Sequence, residues 1–186
     1  MTEIAKLQVQ AVVALVDEPY TERVKGIWNL LQAQCGLKAV NLAPFPHFTF
    51  HGARQYDLDD MDKRLTELAN TLPPFTVRTT GLGIFTGAVP VLYIPLVSDQ
   101  TLLDVHQTVW SQTSVLGEEL NEHYWPGIWV PHITLAIHDV TAENIDCAVK
   151  TLADHDFSWE ITVHRLAVVC LEGGVAGIHR IYSLSG

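Results

Sequence analysis

Two matching segments constrain this chain more than anything else in it: Pro46-His47-Phe48-Thr49-Phe50 and Pro131-His132-Ile133-Thr134-Leu135, their histidines 85 residues apart in a chain of 186. In each, polar and apolar residues alternate with the period of a half-buried strand, so His and Thr share one face and the large apolar side chains take the other. The same order of elements recurs after each copy. Apolar residues at helical spacing follow (Leu58, Met61, Leu65, Leu68; then Ile145, Ala148, Val149, Leu152), then a strand opened by Phe75 or Phe157, then a later strand carrying Tyr93 or Tyr182. Two copies of one unit in a chain of this length predict a single domain over residues 1–186, built of two pseudo-symmetric lobes around a shared central cleft. The expected fold class is α+β, with antiparallel sheets lining the cleft and helices outside.

Leu7 to Val16 alternates and then becomes continuously apolar, a strand entering a sheet. Thr21 is placed to cap a helix carrying Val24, Trp28, Leu31 and Cys35, which Gly36 would end. Gly81 to Gly87 reads as a turn, and Val89 to Val97 as a strand that Pro90 and Pro95 confine to an edge or bend. Asp99 caps a helix over 100–113 with Leu102, Val105 and Val109 inward. Gly117 to Val130 has no period and reads as a long loop bearing Tyr124, Trp125 and Trp129. Thr141 caps the short helix carrying Ile145, Ala148, Val149 and Leu152, and two strands close the chain around Gly173-Gly174.

A net charge of −10 works against binding along extended nucleic acid, leaving a small nucleotide or an RNA-end phosphate as the expected partner of a monomer. No apolar run approaches the roughly 18 residues needed to span a bilayer, and Met1 to Lys6 lacks a secretory core, so a cytoplasmic protein without a membrane contact is expected. Cys35, Cys147 and Cys170 form no close pair and are read as thiols without chemistry, Cys147 and Cys170 as buried ones.

A lone His-x-Thr carries little information. His106-Gln107-Thr108 is a third instance, but it falls in a helix, where residues two apart diverge. On a strand they face the same way about 6.6 Å apart, so an imidazole and a hydroxyl can address different atoms of one phosphate. Two imidazoles of near-neutral pKa can divide proton removal from the nucleophile and proton donation to the leaving oxygen, while two hydroxyls stabilise the developing charge. His47 and His132 are therefore the catalytic candidates, Thr49 and Thr134 the phosphate-binding ones, and no metal or other cofactor is called for. His51 continues the face of His47, but about 13 Å along one strand is too far for a shared zinc. Trp129, Tyr93 and Tyr182 are candidate substrate-binding aromatics. His123, His155, His164 and His179 read as surface residues.

The paired segments resemble those of the two-histidine (2H) phosphoesterase superfamily, which includes the RNA 2',3'-cyclic phosphodiesterases also called 2',5' RNA ligases. The resemblance covers almost the whole chain. It implies a duplicated α+β fold around a V-shaped cleft, two histidines as acid and base, two threonines on phosphate, and no metal. Where RNA-acting members often carry arginine two residues after the leucine of the second motif, this chain has Ile137, which favours a small nucleotide. Hydrolysis of a 2',3'-cyclic nucleotide or related ribose phosphodiester is the expected activity. The alternatives are a non-catalytic nucleotide- or RNA-binding module and a 2',5' RNA ligase.

Overall fold

The computed structural model describes residues 9–186; Leu7 and Gln8 of the expected first strand lie outside them. The chain runs β1 (Val9–Leu15), α1 (Tyr20–Cys35), β2 (His47–Tyr56), α2 (Leu58–Thr71), β3 (Phe75–Arg78), β4 (Gly83–Phe85) and β5 (Val91–Pro95). It continues through α3 (Gln100–Thr113), β6 (Gly117–Leu120), β7 (His132–Ala136), α4 (Ile145–Leu152), β8 (Glu160–Val163), β9 (Arg165–Glu172) and β10 (Val175–Ser183). All strand pairs are antiparallel, in a five-stranded sheet β10-β9-β1-β2-β6, a three-stranded sheet β4-β5-β7 and a two-stranded sheet β3-β8. This is the α+β class expected.

The internal repeat is visible in the pairing. The first His-Thr strand, β2, pairs with β1; the second, β7, pairs with β5; and the third strands of the two series, β3 and β8, pair with each other. The repeated unit is thus β1-α1-β2-α2-β3 against β5-α3-β7-α4-β8. The counterpart of β5 is β1, not the last strand, so the expected equivalence of Tyr93 and Tyr182 does not hold. Phe157 precedes β8 rather than opening it.

β1 separates two apolar layers. Val12, Ala14 and Val16 join Val24, Trp28 and Leu31 of α1 in the main core, whereas Val13 and Leu15 lie in a smaller cluster with Ala167 and Val169. Val13 pairs with Thr49 and Leu15 with His47, and directly paired residues point to one side of a sheet. The His-Thr face of β2 is therefore the face turned away from the main core.

Each His-Thr strand carries a bulge just after its threonine. Val12 and Val13 pair with His51 and Thr49, leaving Phe50 extra; Leu92 and Tyr93 pair with Ala136 and Thr134, leaving Leu135 extra. A bulge of one residue reverses the facing of everything beyond it. His51, expected beside His47 and Thr49, is instead fully buried with the core. There its Nδ1 lies 2.7 Å from the Tyr56 hydroxyl and its Nε2 2.7 Å from the Thr113 hydroxyl. Thr113 donates its own proton to the Val109 carbonyl, so it accepts from His51 Nε2–H, and Tyr56 donates to Nδ1.

Other expectations need correction. α1 begins at Tyr20 after Pro19, and the Thr21 hydroxyl bonds back to the Val16 carbonyl instead of capping. α4 begins after Asn144; the Thr141 hydroxyl accepts from the Glu143 N–H in the turn before it. The supposed Gly81–Gly87 turn contains β4, and the supposed 117–130 loop contains the edge strand β6 and a 3-10 turn at Glu122–Tyr124. β5 is the central strand of its sheet and the bulge lies on its partner β7; the prolines permit this because Pro90 precedes the strand and Pro95 ends it. Asp99 caps α3 as expected, accepting from Leu102 N–H at 3.0 Å.

The cysteines are not three isolated thiols. α1 packs against α4, which brings Cys35 and Cys147 to a Cα separation of 5.8 Å, and a disulfide joins them across 112 residues of sequence. Cys170 is a free, half-buried thiol on β9. No helix among the described residues is long and apolar enough to cross a membrane.

Candidate active site

Both motifs begin with the same local construction. A proline cannot donate to a sheet, and each stands just before its strand with its carbonyl accepting from the neighbouring chain: Val16 N–H to Pro46 O and Leu96 N–H to Pro131 O, both 3.0 Å. The imidazole that follows turns back on the residue before the proline. His47 Nδ1 lies 2.8 Å from Phe45 O, and His132 Nδ1 lies 2.8 Å from Val130 O. A carbonyl oxygen only accepts, so in both rings Nδ1 carries the proton and Nε2 presents its lone pair.

Both imidazoles are held below the ordinary histidine pKa. Burial is the main cause in each case, opposed by the hydrogen bonds to Phe45 and Val130; for His47 the proximity of His132 adds a further depression. Two neighbouring imidazoles that resist simultaneous protonation are suited to sharing one proton.

The threonines are braced from opposite halves of the chain. The Trp129 indole N–H donates to Thr49 O at 2.9 Å, and the Trp28 indole N–H donates to Thr134 O at 3.1 Å. Trp129 is itself stacked on His106, with ring centroids 4.0 Å apart. Nε2 of His106 is shared between the carbonyls of Phe50 and Tyr124, each at 3.1 Å, which ties the 117–130 segment to β2. Burial raises the Tyr124 phenol pKa, and the nearby Thr49 side chain opposes that rise.

His47, Thr49, His132 and Thr134 line one cleft of about 1010 Å³, together with Tyr124. The other candidates stand apart. Trp129 is buried behind Thr49, its indole N–H donating to the Thr49 carbonyl, and does not line the cleft. Tyr93, also buried, packs its ring against His132 at 5.1 Å between centroids and stacks on Phe85 at 4.1 Å. Tyr182 is buried against α2, its hydroxyl bonded to Asp62, away from the cleft. Two histidines that sequence reasoning left out of the site, His123 and His138, line the cleft. His138 follows the end of β7 at φ 71°, a left-handed conformation uncommon outside glycine. Among the described residues, no three His, Cys, Asp or Glu side chains cluster as metal ligands would.

The family description "2'-5' RNA ligase superfamily" matches residues 16–174, which include both His-Thr strands. The chain belongs to the 2'-5' RNA ligase superfamily. Three solved structures illustrate its fold. TT0787 of Thermus thermophilus is 22% identical with a TM-score of 0.67, covering 96% of this chain and 98% of its own. Escherichia coli LigT, solved in complex with 3'-AMP, is 16% identical with a TM-score of 0.56, covering 97% and 100%. Kluyveromyces marxianus Usb1 is 10% identical with a TM-score of 0.55, covering 96% and 99%. None of the curated proteins matches the chain. Membership of the 2'-5' RNA ligase superfamily supports phosphodiester chemistry for this chain.

Proposed function

We propose that the protein hydrolyses a 2',3'-cyclic nucleotide or related ribose phosphodiester without a metal, using His47 and His132 as general acid and base and Thr49 and Thr134 as phosphate donors. The observation that carries this reading is the shared arrangement of the two rings: each Nδ1 is committed to a carbonyl two residues upstream, so each Nε2 is available on the cleft side. One neutral Nε2 takes a proton from water as its oxygen bonds to phosphorus. The P–O bond to one ribose oxygen breaks, and the protonated partner ring delivers its proton to that oxygen, leaving a phosphomonoester. The threonine hydroxyls donate to the nonbridging oxygens as their charge grows. The 3'-AMP held by LigT supports a ligand of mononucleotide size.

The test is conversion of 2',3'-cyclic nucleotides to phosphomonoesters by the purified protein in EDTA. His47→Ala and His132→Ala each abolish turnover with the fold intact, and Thr49→Val or Thr134→Val each lowers kcat by about 10²-fold or more. Activity surviving in both histidine variants would refute the assignment, and tight binding without turnover by the unaltered protein would move it to a non-catalytic nucleotide module.

A further inference from the structure

The cleft around the two His-Thr pairs has an unusual composition for a site that receives a phosphate. Among the described residues that line it there is no lysine, arginine, aspartate or glutamate; the side chains able to carry positive charge are the four imidazoles of His47, His123, His132 and His138. Burial holds His47 and His132 toward neutrality. Apart from these imidazoles and the hydroxyls of Thr49, Thr86, Tyr124 and Thr134, the side chains of the walls are apolar, and much of that surface faces water. Leu42, Ile84, Val89, Ile128 and Val130 all line the cleft, with exposures running from 37% at Ile84 to 59% at Ile128. They come from separate stretches, the 3-10 turn at Ala39–Leu42, the β4 region and the segment before β7, so the chain brings them together only at this opening. Clustered exposed aliphatic side chains around a concave polar site mark where a ligand supplies the missing apolar contact.

Resting on the phosphodiesterase reading, we infer that the substrate is a phosphodiester with a single negative charge whose remaining bulk is uncharged and largely apolar, so that the cleft selects against nucleotides bearing additional phosphates. One anionic diester is matched by one imidazolium and two hydroxyls at the cleft floor. A second phosphate would have to leave water beside aliphatic walls with no lysine or arginine among the described lining residues to meet it, whereas an acyl, alkyl or aryl substituent there is released from water. A cleft of about 1010 Å³ has room for a mononucleoside carrying such a group.

Three probes test this on the whole protein in EDTA: adenosine 2',3'-cyclic phosphate, its 5'-phosphate, and its 5'-O-hexanoyl ester, with kcat/KM measured for ring opening. The expected order is hexanoyl above the parent by about tenfold and 5'-phosphate below it by at least about tenfold. Val89→Lys and Ile128→Lys, both at exposed rim positions, narrow the gap by raising kcat/KM for the 5'-phosphate and lowering it for the hexanoyl ester. Similar kcat/KM for all three, or a preference for the 5'-phosphate, overturns this inference and leaves the phosphodiesterase reading standing. Opening of none of them overturns both.

Discussion

The Nδ1 atom of His132 lies 2.8 Å from the carbonyl oxygen of Val130, and the relation is repeated at His47 with Phe45, so two rings from distant parts of the chain share one tautomer. A cleft containing both can draw on two equivalent Nε2 atoms, and their protonation then sets the pH response.

The optimum of kcat/KM is expected below pH 6.5. On the proposed mechanism the active form holds one proton between His47 and His132, and both pKa values are lowered from 6.5 by burial. Above 6.5 both rings are neutral and the acid is lost; at low enough pH both are charged and the base is lost. Measuring kcat/KM for a cyclic nucleotide between pH 4.5 and 8.5 checks this, and a maximum above pH 7 would contradict it.

Gly83→Ala should impair turnover through Tyr93. A Cβ at residue 83 would stand 2.4 Å from the Tyr93 ring, which rests against His132. Relieving that overlap costs about 1–3 kcal/mol and displaces the ring that packs against the imidazole. Kinetics should show kcat falling more than KM changes. Adding Tyr93→Leu should recover part of the loss, and strictly additive effects would argue against the coupling.

His51 should make the fold acid-sensitive. Its pKa is pushed down to about 3, mainly by burial and then by nearby His106, whereas in the unfolded chain it takes the ordinary value near 6.5. The unfolded state therefore binds the proton first, so the full contribution is present above pH 6.5 and declines as pH falls toward 3. For one proton the slope is about 1.4 kcal/mol per pH unit. Urea midpoints from pH 7 to 4.5 should fall more steeply in the unaltered protein than in His51→Gln; parallel lines would rule this out.

Reduction of Cys35–Cys147 should destabilise the fold by about 2–4 kcal/mol, since the bond closes a long loop. Denaturant midpoints with and without dithiothreitol measure it. A Cys35→Ala/Cys147→Ala protein should already sit at the lower value and ignore the reductant.

The readable parts of this chain were those with a local cause. α2 and α3 follow from periodic apolar residues after Asp57 and Asp99, each of which accepts a backbone N–H of the first turn. The His-Thr strands follow from alternation after a proline. What escaped reading depends on contacts made elsewhere. Gly117 to Leu120 is a strand because β2 offers an edge, not because Gly-Glu-Glu-Leu favours one. The bulges at Phe50 and Leu135 leave no compositional trace, which is why His51 was expected on the wrong face. The Cys35–Cys147 bond and the hydrogen bond from Trp28 to Thr134 span more than a hundred residues each, beyond the reach of any local pattern.

The crossed indole bonds have a consequence for how the two halves depend on one another. The bracing group for Thr134 is encoded before β2, and that for Thr49 is encoded just before β7. A polypeptide severed between β4 and β5 would leave each piece with one intact motif and the other motif's support. The geometry of the cleft would return only on reassociation, so that, if the proposed hydrolysis holds, turnover would record that two fragments have met.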